Sequence, residues 1–134
     1  MMKKSGFILV FFVLSMLIPT TAHAGWDYQG SDVFTKQSKN FKSGGGSFKF
    51  CLSKNSKEGN YRMMEEDPFN PDDWVSYEEK DPTGYEPSFP NIGFDSKGCV
   101  VYHNISKYVD GTDGQAELYI QKWSGGNSKV YAYD

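Results

Sequence analysis

Between Glu65 and Glu86 the chain carries nine carboxylates (Glu65, Glu66, Asp67, Asp72, Asp73, Glu78, Glu79, Asp81 and Glu86), opposed within that stretch only by Lys80. Like charges this close repel unless they are solvated, protonated or share a cation. A solvated acidic face is the plainest reading. The second is calcium, which takes several oxygen ligands from carboxylates, amides and carbonyls on irregular backbone. Asp67-Pro68-Phe69-Asn70-Pro71-Asp72-Asp73 offers three carboxylates and an amide within seven residues. Asp67, Asn70, Asp72 and Asp73 are therefore the expected Ca²⁺ ligands, with Asp110 and Asp113 as a second contribution. Neither stretch follows the EF-hand spacing. The third reading is a carboxylate-dependent polysaccharide hydrolase using a pair of these acids at unequal pKa.

Other chemistries are poorly supplied. Past residue 24, His103 is the single histidine, and the two cysteines of the chain are Cys51 and Cys99. A multi-ligand zinc site cannot be assembled from these. A nucleophilic triad would need His103, and there is no Gly-x-Ser-x-Gly turn to receive it. Trp74 follows Asp72-Asp73 directly, so a ring and carboxylates can share one surface. It reads either as the core anchor of its loop or as a platform for a sugar or protein partner. Asn104-Ile105-Ser106 matches a glycosylation acceptor but carries no weight without a eukaryotic secretory context.

The elements that must position these residues begin after a leader. Lys3 and Lys4 precede an apolar run, Gly6 to Ile18, too short to span a bilayer, followed by Pro19 and Ala22-His23-Ala24. This is the pattern of a secretory signal peptide cut after Ala24, with no membrane span in what remains. Removing residues 1–24 from 134 leaves 110, enough for one domain, and dropping the two lysines takes the formal charge from −3 to −5. With no basic stretch, nucleic acid is a poor partner. Outside the cytoplasm Cys51 and Cys99 form a disulfide closing a 48-residue loop.

Residues 25–134 read as all-β. In Ser47–Ser53, Phe48, Phe50 and Leu52 alternate with Lys49, Cys51 and Ser53; in Ala116–Trp123, Ala116, Leu118 and Ile120 alternate with Glu117, Tyr119 and Gln121. Gly98–Ile105 and Lys129–Tyr133 are further strands, and Asp32–Thr35, Tyr61–Glu65 and Trp74–Tyr77 weaker ones. Glycine-rich turns separate them, and Ser124-Gly125-Gly126-Asn127 reads as a hairpin loop. The pattern predicts a small antiparallel β-sandwich, with a small barrel as its rival. Pro68, Pro71, Pro82, Pro87 and Pro90 make residues 66–92 a surface excursion. The function expected is a secreted, non-enzymatic binding protein, calcium-assisted, whose contact surface is the acidic excursion 65–86. Its partner would be an extracellular protein or a cell-wall polysaccharide, and an exported toxin or inhibitor is a related alternative.

Overall fold

Alternation of inward and outward residues shapes most of the longer strands of the computed structural model, which describes residues 25–77 and 86–134. The expected leader 1–24 and the acids Glu78, Glu79 and Asp81 lie outside the described residues. Among the described residues nine strands run in chain order: β1 (Tyr28–Phe34), β2 (Phe41–Ser43), β3 (Phe48–Leu52), β4 (Gly59–Glu65), β5 (Asp73–Val75), β6 (Ser88–Phe89), β7 (Cys99–Tyr102), β8 (Ala116–Lys122) and β9 (Ser128–Tyr133). A 3₁₀ turn, Ile105–Tyr108, follows β7. One sheet has the order β1-β9-β3-β7, the other β2-β8-β4-β5 with β6 paired to the start of β4, and every strand pair is antiparallel. The sheets stay open, so the chain is a sandwich and the barrel alternative falls.

Phe48, Phe50 and Leu52 point into the core from β3, Val100 and Tyr102 from β7, and Val130 and Ala132 from β9. From the other sheet come Phe41, Tyr61, Met63, Val75, Leu118 and Ile120. Aromatic rings join the two layers edge to face: Phe34 meets Tyr61 at 6.5 Å, and Phe94 meets both Phe50 and Tyr61, at 5.8 and 6.2 Å. Such contacts add to what burial of the rings already contributes.

Two sequence expectations need correction. Ser124–Asn127 is no hairpin: β8 belongs to one sheet and β9 to the other, so the loop carries the chain across the sandwich. Glycine-rich turn chemistry is common to both connections, and only the strand partners distinguish them. Tyr61–Glu65 is a strand as expected, forming the end of a seven-residue strand that β5 and β8 flank on either side. The proline-rich stretch is not wholly a surface excursion, since β5 and β6 interrupt it and place Val75 and Phe89 in the core. Pro71, Pro87 and Pro90 flank those short strands instead of sitting inside them, which is where proline leaves ladder bonding intact.

Cys51 and Cys99 are bonded, and they face each other directly across β3 and β7 with Cα atoms 3.9 Å apart. Both lie on the outer face of their sheet, alternating with the buried Phe50, Leu52 and Val100. Gly98 makes this entry possible: its φ is +77°, and a Cβ there would meet the Leu52 carbonyl oxygen at 2.9 Å. The closed loop of 48 residues constrains the unfolded chain by roughly 4 kcal/mol on the chain-entropy model. A Cys51→Ala/Cys99→Ala variant is expected to fold and to lose up to about that much stability, read as a lower urea midpoint. An unchanged midpoint would show that the bridge adds nothing beyond the ladder.

Candidate functional site

The acidic loop after β4 uses its carboxylates to fold itself. Asp67 Oδ1 accepts the backbone N–H groups of Phe69 (2.9 Å) and Asn70 (3.2 Å), and Oδ2 accepts the Asn70 side-chain amide at 2.9 Å. These bonds, that of the Asn70 side chain foremost, hold the Asp67 carboxyl below its ordinary range. Asp72 Oδ1 accepts the Asp67 N–H at 3.3 Å, and Asp72 Oδ2 accepts the Tyr119 hydroxyl at 2.5 Å. Burial, followed by that bond to Asp72, pushes the Tyr119 phenol up to about 12. Asp73 opens β5 on the exposed side. Of the four expected calcium ligands, Asp67 and Asn70 bond to each other and Asp72 is shared between the loop backbone and Tyr119.

The carboxylates that converge are Glu65, Asp110 and Glu117, each with an oxygen within 4.8 Å of the others. Glu65 continues the buried alternation of β4 after Tyr61 and Met63 and is only 2% exposed. Among the described residues no hydrogen-bond partner reaches its Oε1. Burial raises its pKa to about 7, with the charges of Asp110, Asp73, Asp67 and Glu117 adding to the effect. Asp110 starts a turn closed by a bridge to Gln115. Lys42 lies at the rim, its Nζ 2.9 Å from Asp113 and 3.9 Å from Glu117. The hydrogen bond from Lys42 holds the Asp113 carboxyl low, whereas burial, then Asp113, raises that of Glu117. A surface cleft of about 320 Å³, lined by Glu66, Asp110, Asp113 and Glu117 among others, opens beside this group.

The outer face of the β4 sheet carries a second constellation. Arg62 projects from β4 between Trp74 of β5 and Trp123 at the end of β8, its guanidinium carbon 4.4 and 4.6 Å from the two ring centres. Glu86 accepts from Arg62 Nε at 2.6 Å and from Nη2 as well. Trp74 is 38% exposed and Trp123 60%, so Trp74 is not a core anchor. Both rings flank a cation on the surface.

One nucleophile-like group proves to be structural. Ser128 Oγ lies 2.7 Å from Lys122 Nζ and 2.6 Å from the Tyr61 hydroxyl, but Ser128 is fully buried and no substrate can touch it. Burial lowers the Lys122 pKa, and the ammonium donates to the Gly126 carbonyl and to Ser128. His103 is exposed, with Nδ1 2.9 Å from Ser47 Oγ.

A family model described as YndA coiled coil domain matches residues 25–132. A protein of Bacillus subtilis (strain 168) described as uncharacterized protein YndA is 33% identical over 143 aligned residues, covering 98% of this chain and 97% of that protein. No solved structure matches the chain. The described residues contain no α-helix, so the words coiled coil do not describe this fold.

Glu65 yields a pH prediction. A carboxyl whose folded pKa is raised from 4.5 to about 7 contributes stability that is complete below about pH 4.5 and lost as pH rises through about 7. At about 1.4 kcal/mol per pKa unit the loss is on the order of 3 kcal/mol at most. In EDTA, Glu65→Gln is expected to melt several degrees above the unsubstituted protein at pH 8 and to lose that advantage near pH 4.5. Parallel calorimetric profiles for the two proteins would refute the raised pKa.

Proposed function

The chain belongs to the YndA family, and we propose that it is an exported, non-enzymatic module that binds an extracellular protein through the Trp74–Arg62–Trp123 face. The observation that carries this reading is the guanidinium held between two exposed tryptophans and neutralised by Glu86. Tryptophan and arginine are the residues that dominate protein interfaces, and here the rigid sheet fixes them before any partner arrives. A polysaccharide is the weaker fit, because stacking of a sugar needs an open aromatic face and the guanidinium occupies one face of each ring. Export rests on the leader pattern of residues 1–24 and agrees with the disulfide, a bond that persists in oxidising compartments.

One observation leans toward hydrolysis: the pKa of Glu65, about 7, is that of a general acid. A general acid must reach the leaving oxygen, and Glu65 is buried. That supports binding over catalysis.

A photo-crosslinking residue at Gln121, level with Arg62 on the adjacent strand, tests the proposal against one at Val33, exposed on the opposite sheet. With the native extracellular fraction, position 121 is expected to give a discrete protein adduct that position 33 does not. Adding Trp123→Ala should weaken it about 30-fold or more, as for an interface hot spot, with the melting temperature nearly unchanged. Equal adducts at both positions, adducts only with glycan, or indifference to Trp123→Ala would reject it.

A further inference from the structure

Glu65, Asp110 and Glu117 do not take part in the tryptophan face. The geometry points to a calcium site at these three carboxylates, where Asp110 and Glu117 of the cleft beside the Asp110–Gln115 turn meet the buried Glu65 behind them. Acidic side chains often gather on a surface without any ion, so convergence alone would not distinguish this group. Glu65 does: it is 2% exposed, its Oε1 has no hydrogen-bond partner among the described residues, and an oxygen of the same carboxylate lies within 4.8 Å of one from each of the other two. A buried carboxylate oxygen left unbonded is rare in native proteins and calls for an ion or a water. The surrounding charge is negative, which selects a cation.

The donor set and its size narrow the choice. All three ligands are hard oxygens, and no cysteine or histidine joins the group, which favours calcium or magnesium over zinc or copper. Three oxygens no more than 4.8 Å apart can all be brought to the 2.3–2.6 Å of Ca–O bonds by small side-chain shifts, and an irregular shell of carboxylates and water suits calcium better than magnesium, which demands near-ideal octahedral geometry and dehydrates reluctantly. The cleft leaves room for the waters that calcium needs to complete its shell. Lys42 does not already serve as the counter-ion, since it bonds Asp113 and approaches only Glu117 of the three, at 3.9 Å. The site thus forms beside the loop of Asp67, Asn70, Asp72 and Asp73, whose oxygens hold that loop in place.

The test is thermal melting of the whole protein at pH 7.5, first in EDTA and then in millimolar CaCl₂ or MgCl₂. Calcium is expected to raise the melting temperature by about 5 °C or more, and magnesium by much less. Asp110→Asn and Glu117→Gln should each abolish the calcium shift while melting in EDTA at or above the unsubstituted protein, because each removes a repelling charge. Asp67→Asn should keep the shift. Absence of any calcium shift, a shift that survives both Asp110→Asn and Glu117→Gln, its loss in Asp67→Asn, or an equal shift with magnesium would overturn the assignment.

Discussion

Contact between inward-facing aromatic rings is the constraint on which this molecule depends. Each sheet closes its own hydrogen-bond ladder, and the bridge Gln37–Gln121 after β1 is a corner between the two. What holds the layers face to face is therefore side-chain packing: Phe34 on Tyr61, and Phe94 wedged between Phe50 and Tyr61. Packing of this density tolerates neither a gap nor a slipped register, because a shift by one residue would turn each inward ring to solvent. The polar features of the protein lie where this aromatic layer ends or on its outer faces.

The two ends of the β4–β8 ladder treat buried charge in opposite ways. Lys122 is level with Tyr61, and its ammonium is met by a carbonyl and by Ser128, which also bonds the Tyr61 hydroxyl. Glu65 is level with Leu118, four residues further along β4, or about 13 Å away at the rise of a strand. Two opposite charges thus sit inside one ladder, too far apart to neutralise each other. The lysine end is satisfied by neutral groups, while the glutamate end gathers further acids. A protein that needed only a filled core would place an apolar residue at either position, so the unsatisfied end marks the site.

Much of this architecture is legible in the order of the residues. Period-two burial in Phe48–Leu52, the inward series Ala116, Leu118 and Ile120, the Cys51–Cys99 pairing and the sandwich all follow from local pattern, whereas the burial of Tyr119 does not. The buried charges were equally within reach: Tyr61, Met63, Glu65 and Ala116, Leu118, Ile120, Lys122 are unbroken inward series. Charge argued for the surface at their last members, yet strand geometry does not release one residue from the alternation. Other features were beyond local reading. Asp110 meets Glu65 only because β4 and β8 are neighbours, and Arg62 lies between its two tryptophans because β5 and β8 flank β4. Sequence proximity made Asp67–Asp73 the more conspicuous cluster, although short spacing there favours bonds within the loop over convergence on an ion.

The placement of the disulfide has a mechanical consequence. Because Cys51 and Cys99 lie directly opposite on adjacent antiparallel strands, the covalent path between the two ends of the domain bypasses everything between them, including β4, β5 and β6. A force pulling those ends apart can peel β1, β2, β8 and β9, but the bypassed strands cannot be drawn out into extended chain. Under load, Arg62, Trp74 and Glu65 ride inside a closed ring, whereas Trp123, Asp110 and Glu117 belong to the part that can be stretched away from them.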